Sequence, residues 1–138
     1  MTSLAARLDA YLMESARPFD WATHNCCHFA GRWVQIVEGR DPLADLPMVS
    51  MKAMARAVQE FGCLESAICF QLGRAPVAPA MAQLGDIVLM PTRVWGGDEG
   101  RFSVGICCGS RAVFITETGA WCYWPVLEAA CAWRVQPT

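Results

Sequence analysis

The chain has 138 residues, of which 54% are hydrophobic and 17% charged, and its formal net charge is −2. That length and apolar content suit one domain with a real core and exclude a disordered chain. The near-neutral balance, without any run of Lys or Arg, excludes an electrostatic grip on nucleic acid, and no apolar stretch reaches the ~20 residues that span a bilayer.

The first residues lack a basic start followed by an apolar block, so no secretory signal peptide is expected and synthesis in a cytoplasm is. Residues 3–14 place Leu4, Leu8, Tyr11 and Leu12 on one helical face, and Arg17-Pro18 closes that helix. Residues 18–23 form a connector with Phe19 and Trp21. A second helix is predicted from near Asn25 to Val37, with Phe29, Trp33, Ile36 and Val37 as its buried stripe and Gly39 as its stop. Residues 41–47 read as a loop. Ser50 caps a third helix that ends at Gly62, with Met54, Ala57, Val58 and Phe61 inward, and a fourth runs from Leu64 to Leu72 and stops at Gly73. Residues 75–82 read as extended.

The period then changes. Residues 85–90 and 102–108 read as strands, with Phe102, Val104, Ile106 and Cys108 on one face of the second. Residues 92–100 are a glycine-rich loop carrying Trp95. Gly109-Ser110 signals a tight hairpin into 112–115, and further strands are expected at 120–124 and 132–135. Helices over about 1–75 and strands over 83–138 predict an α+β fold, with the whole of 1–138 as one unit. Asp86 is expected to fix the start of its strand by hydrogen bonding.

Both histidines fall in one short run, His24-Asn25-Cys26-Cys27-His28, at the predicted start of the second helix. A thiol there faces unpaired N–H groups and the positive end of the helix dipole, which favour thiolate. His24 is either a base for Cys26 or a residue packing the connector. His28 lies two residues past Cys26, so a helix turns it roughly 200° away. The eight cysteines read as small reduced core residues. Although His24, Cys26, Cys27 and His28 are all zinc-ligand types, there is no Cys-x-x-Cys pair, and neither a metal nor a cofactor is expected. Most Trp residues read as core. Trp21 in the connector and Trp95 on its loop are the candidate binding residues.

The segment Arg17-Pro18-Phe19-Asp20-Trp21-Ala22-Thr23-His24-Asn25-Cys26-Cys27 resembles the nucleophile region of NlpC-type papain-like cysteine peptidases. Gly85-Asp86-Ile87-Val88-Leu89 resembles that family's first strand, and Val104-Gly105-Ile106 with Gly109 its second. The likeness is nearest to short phage and prophage proteins found among tail genes, which share a His-Asp-Cys-Cys core and a terminal Ala-Trp-Arg-Val, here Ala132-Trp133-Arg134-Val135. It spans about residues 4–135. The resemblance implies a compact papain-like fold, with N-terminal helices packed on a small antiparallel sheet and Cys26 as the nucleophile at the cleft.

The family's catalytic His falls at Ser103, and Ser cannot accept a proton at neutral pH as imidazole does. No His follows His28, Asn25 replaces the family's Asp, and Ala22 its Gly. The resemblance therefore implies a phage tail-tip or baseplate protein on a cell-wall peptidase fold, catalytically impaired. It would be made in the bacterial cytoplasm, reside in the virion tail and contact other tail-tip proteins. Two alternatives stand beside it. One is an active peptidase or amidase on peptidoglycan stem peptides, with His24 or a partner's residue as base. The other is a peptide- or glycan-binding module, and for either a cytoplasmic location stays open.

Overall fold

The structure is a computed structural model that describes residues 2–20, 22–46, 48–91, 102–116 and 120–137. It is α+β. Four helices come first: α1 (Leu4–Glu14), α2 (Cys26–Glu38), α3 (Met51–Phe61) and α4 (Leu64–Leu72). Five strands follow: β1 (Ile87–Pro91), β2 (Phe102–Cys107), β3 (Arg111–Ile115), β4 (Trp121–Pro125) and β5 (Cys131–Trp133). They form one antiparallel sheet in the order β4-β3-β2-β1-β5. No described helix is long and apolar enough to cross a membrane.

Local chemistry sets the helix boundaries. Ser3, Asn25, Ser50 and Cys63 each accept a first-turn N–H, satisfying a donor that the helix leaves unpaired. α2 and α4 end on Gly39 and Gly73, whose left-handed backbone (φ +79° and +69°) suits a residue without Cβ. Helix α1 stops at Glu14, ahead of the Arg17-Pro18 pair. Part of the expected extended segment is a short 3-10 turn, Pro79–Met81.

Strand alternation splits the core. Ile87, Leu89, Val104, Ile106 and Val113 face the helices and pack with Leu8, Tyr11, Phe29, Trp33 and Val37. Val88, Met90, Cys107, Ala112, Phe114 and Ala132 form a second apolar layer on the opposite face. Gly105 lies between these layers, where an added Cβ would sit 2.5 Å from the Val113 carbonyl oxygen and from the Phe114 ring. Trp33 and Trp133 are fully buried, and their indole N–H groups donate to the Gly85 carbonyl (2.7 Å) and the Cys69 sulfur (3.4 Å).

Two expected core residues are exposed: Cys63, which caps α4 at the surface, and Ile36, which is 42% accessible. The buried arc of α2 takes in Cys27, Ala30, Gly31 and Val34 as well as Phe29, Trp33 and Val37. Its centre is thus turned toward Leu43, and Ile36 falls past the far edge at 100° per residue.

The Gly-Asp motif and the terminal motif meet in space. The Asp86 carboxylate accepts the N–H of Gln83 (2.8 Å) and of Val135 (3.0 Å), and Arg134 lies 3.8 Å away. Asp86 thus pins the start of β1 to the segment after β5. Its own pKa is raised, because burial outweighs those donors. Next to it, Gly85 faces the Leu4 side chain of α1. A second clip joins Glu38 to Arg74 through two 2.6 Å hydrogen bonds. Arg74 also donates to the Arg134 carbonyl, and Gln136 N–H donates to Glu38.

Candidate active site

Cys26 is the first residue of α2, and the helix start around it is tightly built. Asn25 Oδ1 accepts the His28 N–H (2.9 Å), and His28 Nδ1 faces the Asn25 N–H (3.4 Å), a reciprocal cap. The buried Asn25 amide also donates to the Met48 carbonyl (2.7 Å), tying the helix start to the loop before α3. His28 is therefore a capping residue on the side of the helix away from Cys26.

The half-buried Cys26 sulfur rests against β2 and is lowered in pKa to about 7. The largest cause is a hydrogen bond from the Cys27 thiol. The N–H groups of Val104, Cys27 and Cys26 add to it, and together they outweigh burial. Cys27 moves the other way, well up, because its proton is held by Cys26 and its surroundings are apolar. Cys27 and Val104 were not singled out from sequence as partners of the thiol. The adjacency of Cys27 was visible, but the contact with β2 is tertiary.

His24 is brought near in sequence but is engaged elsewhere. It is 1% exposed, held in a short turn in which its backbone pairs with Asp20 (2.8 and 3.0 Å). Nε2 lies 3.0 Å from the Ser15 carbonyl, so it carries the proton; Nδ1, 3.2 Å from the Arg32 guanidinium, accepts. Arg32 also donates to the Thr23 carbonyl. Burial first, and Arg17 next, push the imidazole pKa down. The ring thus joins the end of α1 to α2 as a neutral tautomer with both nitrogens occupied.

Ser103 is half-buried and opposite Met90 across β1 and β2. Alternation puts it on the side of Gly105 and Cys107, while its neighbour Val104 faces α2. Trp21 and Trp95 lie outside the described residues, as do 92–100 as a whole. Among the described residues no group of three or more His, Cys, Asp or Glu is placed to hold a metal ion.

The arrangement can therefore present a thiolate at neutral pH, steadied by backbone and thiol donors, with no imidazole of this chain turned to it. A family model, a domain of unknown function (DUF6950), matches residues 1–135. The chain belongs to the DUF6950 family. The DUF6950 match covers the thiol site, the sheet and the Asp86 latch alike. No curated protein and no solved structure matches the chain.

Proposed function

We propose that this DUF6950 chain is a phage or phage-derived tail-tip or baseplate protein, built on an NlpC-like papain-type fold and catalytically impaired. The observation that carries this reading is the state of the thiol site. Cys26 lies at a helix start against the strand that would bring the family's His, that position is Ser103, and His24 is committed to Ser15 and Arg32. Acyl transfer to a thiol needs a base to hand the proton on to the leaving amine. Here the donors at the helix start converge on the sulfur itself. The junction of Asp86 with Val135 supports the resemblance to the tail-gene proteins, since two of its motifs complete each other. On this reading the chain is made in the bacterial cytoplasm and resides in the virion tail, against other tail-tip proteins.

The lowered Cys26 pKa favours a second reading, an active cysteine peptidase or amidase on peptidoglycan stem peptides whose base comes from a partner chain. One experiment separates the two. Purified stem peptides are incubated with wild type and with Cys26→Ala, alone and in the assembled particle, and followed by mass spectrometry. The proposal expects no cleavage in either setting and normal assembly of the variant. Cleavage that vanishes with Cys26→Ala overturns it and establishes the peptidase. Failure of the chain to co-purify with tail particles removes the tail assignment.

A further inference from the structure

The two edges of the sheet differ. The outer side of β5 is covered, since Val77 donates to the Ala132 carbonyl (2.7 Å) and accepts the Ala132 N–H (3.0 Å). The other edge is β4, and among the described residues no strand or turn pairs with its outer side. We infer that β4 is the interface of a two-fold dimer, in which the same strand of a second copy adds antiparallel to it with Cys122 opposite Cys122.

Register decides which groups are on offer. Pro125 lies opposite Arg111, and the Val126 N–H donates to the Ser110 carbonyl (3.0 Å). Bonded positions alternate along an antiparallel pair, so Trp124 and Cys122 turn their N–H and C=O to β3, while Trp121 and Tyr123 turn theirs outward. Such an edge is a template for another strand, which proteins blunt with charge, a bulge or proline. The β4 sequence, Trp-Cys-Tyr-Trp-Pro, carries no charge, and its proline stands beyond the outward pair.

The outward set is its own complement. With the axis through Cys122, the N–H and C=O of Trp121 in each copy meet the C=O and N–H of Tyr123 in the other, and none of these groups is left over. Moving the axis to Tyr123 sets Trp121 against Pro125, which has no N–H, and strands both Trp121 carbonyls. The Cys122 register also lays Tyr123 of one copy beside Trp121 of the other, as two aromatic cross-strand pairs on the helix side of the sheet. Tyr123 is 46% exposed and Trp121 half-buried, so both have surface left to cover. An unrelated strand would take the same bonds without these matched pairs, so the edge fits a second copy. The overlap is short, and the dimer is accordingly weak and reversible. It is independent of whether the thiol site cuts peptides or the chain sits in a tail.

The test uses the whole chain in a Cys63→Ser background, because Cys63 is exposed. Sedimentation from about 1 to about 500 µM is expected to show a monomer–dimer equilibrium. Tyr123→Pro removes an outward donor and keeps the ladder to β3, as edge strands tolerate, and should weaken the dimer at least about tenfold. Circular dichroism confirms folding, and Tyr123→Lys replaces the proline variant if that one does not fold. Copper–phenanthroline in air reads the register, with oxygen taking the two electrons of two thiols. Opposed residues that exchange no backbone bonds have Cα atoms about 4.5 Å apart, within the roughly 4.4–6.8 Å that disulfides span, so peptide mapping should find Cys122 joined to Cys122. Cys122→Ser should abolish that link and leave sedimentation unchanged. A chain that stays monomeric throughout the range overturns the inference. So does a dimer that the Tyr123 variants leave intact, or one that yields no Cys122–Cys122 link. A monomer that takes up an extended peptide along β4 overturns it as well and gives the edge to a different partner.

Discussion

The chain carries the same dipeptide twice, and only the first copy holds a thiol of lowered pKa. Cys26-Cys27 opens a helix, where the Cys27 thiol first, and backbone N–H groups with it, bond the Cys26 sulfur and its pKa falls to about 7. Cys107-Cys108 closes a strand, where the sulfurs find carbonyls instead, Gly109 at 3.2 Å and Ile106 at 3.7 Å. Burial raises both pKa values, that of Cys108 to about 11, and at Cys107 it outweighs the backbone bond with Gly109, which acts the other way. At Cys26 the Cys27 thiol and three N–H groups outweigh burial, whereas at Cys107 and Cys108 burial prevails.

The largest effect that would break this contrast is in alkylation rate. At pH 7 the values of about 7 and about 11 differ about five thousandfold in thiolate, and the lower intrinsic nucleophilicity of the more acidic thiol returns part of it. Iodoacetamide mapped by mass spectrometry should therefore modify Cys26 about a hundredfold faster than Cys108, with a midpoint near pH 7 for Cys26. Equal rates would refute the contrast.

Gly105→Ala comes next. It strikes the strand that meets Cys26 through Val104 and ends in Cys107, and its Cβ would lie 2.5 Å from backbone. Denaturant titration should show a loss of about 2–3 kcal/mol, as overpacking costs. An unchanged midpoint would mean that β2 and β3 separate freely.

Asn25→Ala sharpens the comparison from one side. It removes the helix cap and leaves the buried Met48 carbonyl without its amide donor, for a loss of about 1–2 kcal/mol. Cys26 alkylation should slow several-fold while Cys107 and Cys108 stay inert; no change in Cys26 would separate the cap from its priming.

The smallest effect is a control remote from both pairs. Arg74 holds the Glu38 carboxylate below its ordinary pKa of 4.5. A lowered folded pKa gives stability that is fully present above pH 4.5 and lost as pH falls through the folded value. Glu38→Gln should cost about 1 kcal/mol at pH 7, flatten that acid dependence and leave the Cys26 rate unchanged. A slower Cys26 would show that reactivity tracks global stability, not local donors.

Much of the architecture was legible because it was written in local chemistry. Asn25, Gly39, Ser50, Gly62 and Gly73 bound α2, α3 and α4 as caps whatever the tertiary context, and Gly109-Ser110 turns β2 into β3. Asp86 fixes its strand, as expected of a carboxylate just before an apolar run. The miss at Ile36 has a tertiary cause, since its helix is covered over a wider arc than one stripe, and that arc turns toward the loop carrying Leu43. The site was legible only in part. A thiol at a helix start can be read from spacing, but the N–H of Val104 arrives from a strand some eighty residues away. That His24 is spent on Ser15 and Arg32 is equally a matter of which helices meet.

The Asp86 junction has a consequence for how the chain is made. A ribosome delivers β1 long before its outer neighbour β5 and the Val135 N–H that Asp86 accepts. Until those residues emerge, β1 keeps an open edge and its leading carboxylate lacks one donor, while α1 already has Gly85 to rest on. Completion of this edge therefore waits for residues 131–135. A nascent chain stalled before residue 131 should be cut readily by protease in β1, and one with residues 131–135 free to dock should resist.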